Sequence, residues 1–314
     1  MAADSKPPVA VLTGPTGTGK TEYALRLARE FPIEIVSVDS AQVYRGLDIG
    51  SAKPDAATRA AVPHHLLDLV DANAAYSAGQ FVRDATLAIT DIESRGRVPL
   101  LVGGTMLYLR ALIGGIATLP RASERIRADI DTEAKREGWP ALHARLAVVD
   151  AAAAARIHPN DAQRIQRALE VHAATGEPIS ALQAATRSPM ERDFLVTALV
   201  PTDRARLHAA LAQRFENMMA AGLLEEVRKL HSRGDLDAEQ PAIRAVGYRQ
   251  LWSHIEGACS LETAVERAVA ATRQLAKRQM TWLRSMPNIH VVDPYDAQGF
   301  VGVRESLIAA FCLL

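Results

Sequence analysis

The segment from Gly14 to Thr21 constrains the fold of this chain more than any other part of the sequence. It reads Gly-Pro-Thr-Gly-Thr-Gly-Lys-Thr, which is the spacing of a phosphate-binding loop, or P-loop. The apolar run Val9 to Leu12 stands before it, and helical spacing extends from Thr21 to Phe31 after it. A strand, a glycine-rich loop and a helix in this order let backbone amides converge on phosphate oxygens at the helix N-terminus.

The loop therefore predicts a diphosphate or nucleotide site. Lys20 supplies a point charge and Thr21 is a candidate ligand for Mg²⁺. A glycine-rich turn that only caps a helix is the alternative, but both flanking elements and the Lys-Thr pair argue against it. The predicted phosphate-binding residues are Gly14, Pro15, Thr16, Gly17, Thr18, Gly19, Lys20 and Thr21.

Two further apolar runs predict the rest of a parallel sheet. Ile33 to Val38 is β-branched and nearly all apolar, and Val98 to Val102 is closed by two glycines. Between them, Ser77 and Gln80 have the spacing of a capping box, which predicts a helix from Gly79 to about Glu93. Strands that alternate with helices indicate an α/β fold with a doubly wound parallel sheet, whose ligands bind at the carboxyl ends of the strands.

The middle of the chain has no strand signals. From about Pro120 to Pro189 it is rich in Ala, Arg and Glu, with helical periodicity. A strand-like run from Phe194 to Val200 then resumes the sheet. The sequence thus predicts a P-loop core formed by residues 1–118 and 194–314, which is interrupted by a helical insertion domain of residues 119–193.

The second part of this core is predicted to be mainly helical. Long helices are expected around Ala205 to His231 and Leu261 to Met286, and a last strand at Ile289 to Val292. Within this region the segment Arg244 to Arg284 contains seven Arg or Lys residues against three Glu residues. Such a segment suits a phosphate backbone, although a solvated helix face is the alternative.

Composition excludes several classes of protein. Lys plus Arg and Asp plus Glu both number 36, so any contact with nucleic acid needs a local basic face. Cys259 and Cys312 stand far apart without neighbouring His or Cys, which argues against a disulfide framework and a thiolate zinc site. The polar lead Met1 to Lys6 leaves no room for a cleavable signal, and Leu307 to Leu314 is too short to span a bilayer. We expect a cytoplasmic monomer with no membrane partner.

Asp39 is the first candidate for chemistry, because it follows the second strand at the loop expected to adjoin the phosphate site. It could act as a general base or hold Mg²⁺ through water. The alternative is a turn-forming Asp followed by Ser40 as a cap. Position alone leaves both open.

The third strand ends in Gly103 to Thr105, where a nucleotide hydrolase commonly has an acidic metal ligand. This difference weakens an interpretation as a motor or GTPase. On the residues alone, Thr105 could have a functional role or cap a helix over Met106 to Ile113, and the cap is favoured. His64 and His65 are interpreted as turn or packing residues, since no third metal ligand accompanies them.

The motifs together resemble the tRNA dimethylallyltransferase family, also called tRNA isopentenyltransferase, over nearly the whole chain. Ser51 stands where Thr is common, which keeps a hydroxyl, and the C-terminal zinc finger of eukaryotic members is missing, so the resemblance is to the bacterial form. The matching segments, in the order of the family, are Gly14 to Thr21, Asp39 to Tyr44, Ile49 to Pro54, Pro63 to Asp68, Val102 to Tyr108, His158 to Val171, Arg214-Phe215, Ile243 to Trp252 and Thr272 to Arg284.

This resemblance implies transfer of a dimethylallyl group from dimethylallyl diphosphate to the exocyclic amine of the adenosine 3′ of the anticodon. The partner is then the anticodon stem-loop of tRNA, diphosphate is released, and Mg²⁺ is the cofactor. The implied catalytic residues are Asp39 as general base, Lys20 and Arg214 at the diphosphate, and Thr105. The implied tRNA contacts are Asp39, Ser40, Ala41, Gln42, Thr105, Arg127, Gln163, Arg164, Ile165, Gln166, Arg167, Arg244, Ala245, Val246, Gly247, Tyr248, Arg249, Lys277, Arg278, Gln279, Met280, Thr281, Trp282, Leu283 and Arg284.

Two rival functions stay open on the residues alone. A P-loop small-molecule kinase would hold ATP in the loop and turn it over without tRNA. A non-catalytic, nucleotide-dependent RNA-binding module would show nucleotide-gated affinity for RNA and would form no covalent product.

Overall fold

A parallel sheet is the centre of the fold. The structure, a computed structural model, describes residues 7–117, 119, 123–185, 188–190 and 192–311, so the lead Met1 to Lys6 and Cys312 lie outside the described residues. The strands of the sheet are β1 (Val9–Thr13), β2 (Ile33–Val38), β3 (His64–His65), β4 (Val98–Gly103), β5 (Phe194–Leu199) and β6 (Ile289–Val292). Among the described residues their order is β3-β2-β4-β1-β5-β6, and each neighbouring pair is parallel.

The strands β1, β2 and β4 end together. Thr13 of β1 and Val38 of β2 both pair with Gly103 of β4. A Cβ atom on Gly103 would lie 2.1 Å from the carbonyl oxygen of Val38, so a larger residue would push the two strands apart. Three loops therefore start side by side at one edge of the sheet: the P-loop, the loop that begins at Asp39, and the turn at Gly104.

Helices cover both faces of the sheet. The first four are α1 (Lys20–Glu30), α2 (Ala56–Ala61), α3 (Ala78–Ser94) and α4 (Met106–Gly114). Helix α1 packs Leu27 into the core of one face, while Phe81 of α3 and Tyr108 of α4 stack at 4.5 Å in the core of the other. The predicted capping box is confirmed, because Ser77 accepts from the Gln80 amide and the Gln80 side chain accepts from the Ser77 amide.

Residues Gly114–Pro189 form a compact helical unit, and Met1–Ile113 with Met190–Leu314 form the other unit. The helical unit contains α5 (Glu124–Glu137), α6 (Trp139–Val149), α7 (Ala151–Ala154), α8 (Ala162–Thr175) and α9 (Ile179–Ala184). Leu142, Leu146 and Leu169 are among its buried core residues. The unit begins and ends a few residues before the predicted insertion of residues 119–193. The later boundary shifts because Met190 packs against the core of the sheet.

The remaining helices are α10 (Arg204–Ala220), α11 (Leu223–His231), α12 (Tyr248–Ile255), α13 (Leu261–Arg284) and α14 (Gly299–Phe311). The helical region predicted around residues 205–231 is divided into two helices, because Gly222 lies between them with a φ of 99°, outside the helical range. Phe215, Tyr248 and Trp252 belong to one hydrophobic core shared by α10 to α13, whereas α14 packs against the core that contains α1. In the described part of the chain, no helix combines the length and the apolar character that crossing a membrane requires.

The sequence located five of these strands to within one residue. The sixth strand, β3, is formed by His64 and His65, which the sequence analysis interpreted as turn or packing residues. They pair with Ile35 and Val36 at the edge of the sheet. A strand of two residues is too short to produce an alternating pattern, so the periodicity of the sequence could not reveal it.

Candidate active site

A cavity of about 750 Å³ opens at the edge where β1, β2 and β4 end. Its wall includes Lys20 and Thr21 of the P-loop helix, Asp39 after β2, Thr105 after β4 and Arg214 of α10. These residues are far apart in sequence, and the parallel sheet brings most of them together by aligning the ends of its strands. All four predicted catalytic residues thus line one cavity.

Lys20 occupies the inside of the P-loop. Its Nζ atom donates hydrogen bonds to the carbonyl oxygens of Gly14, at 2.9 Å, and Pro15, at 2.7 Å. Loss of water around the ammonium, and after it the charge of Arg214, lowers the pKa of Lys20 to about 7, against a smaller opposing effect of Asp39. An anion in the loop would restore the protonated form, because an opposite charge favours an ammonium.

Arg214 reaches the same loop from α10. Its Nη1 atom lies 3.4 Å from the hydroxyl of Thr16. Burial lowers the pKa of the guanidinium, and Asp39 partly offsets this effect. Among the described residues, neither Lys20 nor Arg214 has a carboxylate within 4.0 Å, which is the limit for an ion pair. The cavity therefore holds two desolvated cations that lack a direct counter-charge.

Asp39 forms the turn after β2, and one of its oxygens stays free of protein partners among the described residues. Its Oδ1 atom accepts a hydrogen bond from the amide of Ala41 at 2.8 Å and a longer one from the amide of Gln42 at 3.4 Å. The residue therefore shapes the turn after β2, as the structural alternative required. Its Oδ2 atom has no hydrogen-bond partner among the described residues, and the side chain faces the cavity, so one oxygen is available for proton transfer.

Thr105 does not cap α4 with its side chain, which corrects the expectation drawn from its position. Its hydroxyl oxygen accepts from the amide of Ser40 at 3.0 Å and donates to the Ser40 hydroxyl at 3.3 Å. The hydroxyl points to the neighbouring loop because β2 and β4 end in register. Thr105 thus ties the turn after β4 to the turn that carries Asp39.

A carboxylate that the sequence analysis missed supports the far wall of the cavity. The side chain of Glu226, on α11, accepts from the amides of Asp48, Ile49 and Gly50 at 2.8 to 3.2 Å and from the hydroxyl of Tyr248 at 2.5 Å. It thereby holds residues 48–50, and Gly50 itself lines the cavity. In sequence Glu226 is one of two adjacent acids inside a predicted helical region, so nothing distinguished it from a solvated residue.

The side chains of the two basic segments that were expected to contact RNA, residues 244–249 and 277–284, differ in their exposure to solvent. Arg244, Arg249, Lys277, Arg278, Thr281 and Arg284 are exposed. Tyr248, Met280 and Leu283 are at most 5% exposed and belong to hydrophobic cores, so we no longer expect side-chain contacts with RNA from them. Ala245, Val246 and Trp282 are half-buried and line the cavity, and Gly247 is buried.

Comparison with known proteins identifies the family. The family described as IPP transferase matches residues 42–286, and the one described as isopentenyl transferase matches residues 7–68. Relatives named tRNA dimethylallyltransferase, from Paraburkholderia phymatum and Ralstonia pickettii, are 56% and 54% identical to the chain, over 91% and 93% of its length and 92% of theirs. The chain belongs to the tRNA dimethylallyltransferase family.

Solved structures of the same family agree with the fold. A tRNA isopentenylpyrophosphate transferase from Bacillus halodurans has a TM-score of 0.71 and 34% identity, covering 98% of this chain and 97% of that one. A eukaryotic dimethylallyltransferase, described as acting on tRNA, has a TM-score of 0.79 and 30% identity, covering 93% of this chain and 75% of that one. The predicted α/β fold with a P-loop and a parallel sheet is therefore confirmed.

In the helical unit, the family resemblance had singled out Arg127 and the segment Gln163 to Arg167. Arg127 is 2.9 Å from Glu170, which is 2% exposed, and Arg167 lies 3.5 Å from the same carboxylate. The pairing with Glu170 raises the pKa of Arg127. Ile165 is fully buried, so its side chain cannot reach RNA, whereas Gln163 and Arg164 are exposed and Gln166 donates to Asp131 at 2.7 Å.

The cavity offers hard oxygen ligands that fit Mg²⁺. Thr21, with its hydroxyl, and Asp39, whose Oδ2 atom has no hydrogen-bond partner among the described residues, both line the cavity. No cluster of three or more His, Cys, Asp or Glu side chains that could hold a metal ion is present among the described residues. An ion at this site would therefore complete its shell with water and ligand oxygens, which is the usual coordination of Mg²⁺ beside a diphosphate.

Proposed function

We propose that this protein transfers a dimethylallyl group from dimethylallyl diphosphate to the exocyclic amine of the adenosine 3′ of the anticodon in tRNA. The observation that carries the proposal is the pair of desolvated cations, Lys20 and Arg214, which line one cavity together with the carboxylate of Asp39. A diphosphate supplies the anion that the cations lack. The names of the relatives support tRNA as the acceptor.

The reaction breaks the bond between the allylic carbon and its diphosphate oxygen, and it forms a bond between that carbon and the amine nitrogen. The electron pair of the broken bond leaves with the diphosphate. Lys20, Arg214 and the P-loop amides stabilise the charge that grows on the leaving oxygens. The amine is a weak nucleophile because its lone pair is conjugated into the ring. Asp39 accepts its proton as the new bond forms, a role typically worth ~10² to 10⁴ in rate.

Mg²⁺ is the cofactor that these residues suit. Thr21 would hold the ion through its hydroxyl, and Asp39 would hold it through a bound water. When bound, the ion neutralises part of the negative charge on the diphosphate. The residues of the chain then orient the allylic carbon toward the amine and keep the proton acceptor beside it.

The adenosine must leave the anticodon loop to reach Asp39, because a stacked base cannot approach the diphosphate. Extrusion costs roughly a few kcal/mol, which contacts in the cavity offset. Ser40 and Thr105 line the cavity next to Asp39, so a base that reaches the carboxylate also meets their hydroxyl groups. These two residues are therefore proposed to contact the extruded nucleotide.

The exposed basic side of α13 is proposed to bind the phosphate backbone of the stem. Arg273 and Lys277 are exposed one turn apart on this helix. Replacing both with Gln should weaken tRNA binding and reduce the slope of affinity against salt by about one per lost phosphate contact. The control, Arg29→Gln with Lys229→Gln, removes the same charge from other exposed positions. Equal salt slopes in the two double variants would assign this face to solvent.

One incubation tests the whole proposal. With Mg²⁺, dimethylallyl diphosphate and unmodified tRNA, the enzyme should release diphosphate and add one five-carbon unit to the adenosine beside the anticodon, without consuming ATP. Mass analysis of the digested tRNA identifies the modified nucleoside, and a tRNA with another base at that position should remain unmodified. If the tRNA mass does not change while ATP is consumed, the kinase is the better interpretation. If neither changes but RNA affinity depends on nucleotide, the binding module is.

A further inference from the structure

Gln279 connects two walls of the cavity from a helix that is distant in sequence. It lies on α13 and is 7% exposed. Its Oε1 atom accepts a hydrogen bond from the backbone amide of Thr16 at 2.9 Å, and its Nε2 atom donates one to the carbonyl oxygen of Gly104 at 2.8 Å. A backbone amide can only donate and a carbonyl can only accept, so the orientation of the Gln279 amide follows from its partners.

The turn after β4 is shaped to admit this side chain. A Cβ atom on Gly104 would lie 2.5 Å from the Nε2 atom of Gln279 and 3.1 Å from the carbonyl oxygen of Gly14. Gly104 therefore lets the helix, the turn and the P-loop meet. Thr16, which Gln279 fixes through its amide, also contacts Arg214 through its hydroxyl. Gln279 is thus bonded directly to the P-loop and is connected through Thr16 to the cation Arg214.

We propose that Gln279 is a positioning residue that sets the shape of the P-loop from α13 and does not contact RNA itself. Both polar ends of its side chain are already used, in contrast to the exposed neighbours Lys277 and Arg278 on the same helix. The Thr16 amide is also used, so a phosphate is held by the amides that follow it. The hydrogen bond between the Thr16 amide and Gln279 orients the peptide group at Thr16. The amides that would bind the phosphate follow directly after this peptide group.

If Gln279 served only to fill space, its volume would matter and its hydrogen bonds would not. Gln279 stands between Ala276 and Met280, which are buried in the core. If only volume mattered, Met would serve as well as Gln, because the two side chains have similar length and Met buries no polar atom. If the two hydrogen bonds matter, Met leaves the Thr16 amide and the Gly104 carbonyl unpaired and frees the loop to move.

The test compares Gln279→Met with Gln274→Met, the same substitution at an exposed position of the same helix. Titration calorimetry with inorganic diphosphate and Mg²⁺, without RNA, measures the P-loop alone. We expect Gln279→Met to weaken diphosphate binding by about tenfold, the effect of losing one hydrogen bond of typical strength. Gln274→Met should bind like the wild type. Equal affinities in all three proteins would overturn the proposal.

A second measurement separates positioning from RNA contact, and it rests on the proposed function. At saturating donor and tRNA, the single-turnover rate of Gln279→Met should fall by about 10- to 100-fold, as expected when reacting groups are misplaced. Its Kd for tRNA should stay within about twofold of the wild type, because phosphate contacts on the exposed side of α13 remain. A variant that loses tRNA affinity but keeps its diphosphate affinity would make Gln279 an RNA contact.

The two measurements also separate this inference from the proposed function. A wild-type protein that transfers no dimethylallyl group contradicts the function, whereas the diphosphate titration still decides the role of Gln279. If thermal unfolding shows that Gln279→Met is too unstable to assay, Gln279→Glu replaces it. Glu keeps the side-chain length and the acceptor for Thr16 but has no proton for Gly104 when ionised. Wild-type diphosphate affinity in that variant at pH 8 would contradict the proposal.

Discussion

Charged side chains shielded from water lie near both ends of β2, and the two clusters differ in how their charge is balanced. Near the amino end, Glu34 is 2% exposed and is paired with Arg95, with His65 at 2.7 Å and with Arg97 at 3.6 Å. Near the carboxyl end, Lys20 and Arg214 have no carboxylate at ion-pair distance among the described residues. A buried charge with partners is typical of a structural cluster, whereas half-buried cations without a carboxylate partner are typical of a site that binds an anion.

The pKa of Glu34 and the pKa of Lys20 are both lowered, but the lowering keeps the acid charged and favours the neutral form of the amine. Hydrogen bonds from Arg95, against the cost of burial, lower the pKa of Glu34, which keeps the carboxylate charged. Burial lowers the pKa of Lys20 to about 7, which favours loss of its charge. The first cluster is therefore stabilised as it stands, and the second is stabilised only when a ligand arrives.

The variant Lys20→Met removes one of the two cations that have no carboxylate partner among the described residues. The variant should lose about 10² to 10³ in single-turnover rate at saturating donor, because one group that stabilises the leaving charge is gone. Its thermal stability should be unchanged or higher, since a desolvated ammonium without an ion pair is removed. Rapid-quench assays and thermal unfolding measure the two effects. Near-normal turnover in the folded variant would contradict the role assigned to this cation.

Asp39→Asn should act on the rate with little effect on binding. Asn keeps the size of the side chain and an oxygen that can accept from the Ala41 amide, so the turn after β2 is preserved. It removes the proton acceptor, and we expect the single-turnover rate to fall by ~10² to 10⁴. The affinities for diphosphate and tRNA, measured separately, should stay close to wild type. An unchanged single-turnover rate would remove Asp39 from the proton transfer.

The cluster at the other end of β2 should respond in the opposite way. Glu34→Gln removes the charged hydrogen bonds to Arg95 and His65 and should lower the free energy of unfolding by about 1.5–3 kcal/mol, because the cations left behind are partly exposed. The transfer rate per folded molecule should not change. Exposed Glu30 pairs with Arg304, and Glu30→Gln is the control, with an expected cost of about 0–1 kcal/mol. Urea unfolding measures both, and a Glu34 variant as stable as the control would abolish the contrast.

The difference in stability between the wild type and Glu34→Gln should change with pH in a definite direction. The pKa of Glu34 is lower in the folded protein than its ordinary value of 4.5. The unfolded chain therefore binds its proton first as the pH falls, and the stabilisation by Glu34 is full above pH 4.5 and is lost below it, as the pH falls through the folded pKa. The stability difference between wild type and Glu34→Gln should accordingly be smaller at pH 3.5 than at pH 7.

The contrast also explains what the sequence could predict. The P-loop and the strands next to it were predictable because local spacing alone specifies them: glycines before a Lys-Thr pair, and apolar runs of strand length. The break at Gly222 and the two-residue β3 were not, because a glycine within a helical pattern is tolerated and a very short strand leaves no periodicity. These elements depend on packing that the chain acquires only when folded.

The candidate site also contains residues that the sequence could predict and residues that it could not. Lys20 and Asp39 follow from motif positions and Arg214 from the family resemblance, and the structure places all three in one cavity. The roles of Glu226 and Gln279 could not be predicted, because each acts through backbone groups more than 150 residues away in sequence. Backbone amides and carbonyls have no signature in the sequence. A residue that bonds to them is visible only once the fold has brought the two segments together.

The smallest effect, and the most direct test of the contrast, concerns the pH dependence of diphosphate binding. Because the pKa of Lys20 is about 7 without a ligand and a bound anion raises it, binding takes up a proton above pH 7. The affinity for diphosphate should fall by up to about tenfold per pH unit above pH 7, relative to Lys20→Met, in which this group cannot titrate. Calorimetry in buffers of different ionisation enthalpy counts the protons directly.

Without ligand, the stability of the protein changes with pH in the direction opposite to that of diphosphate affinity. Between pH 7 and the ordinary pKa of 10.5 the unfolded chain binds more protons, so the wild type should gain stability with rising pH. If wild type and variant showed the same slope in both measurements, Lys20 would keep its charge as firmly as Glu34 does, and the two ends of β2 would not differ in the way described.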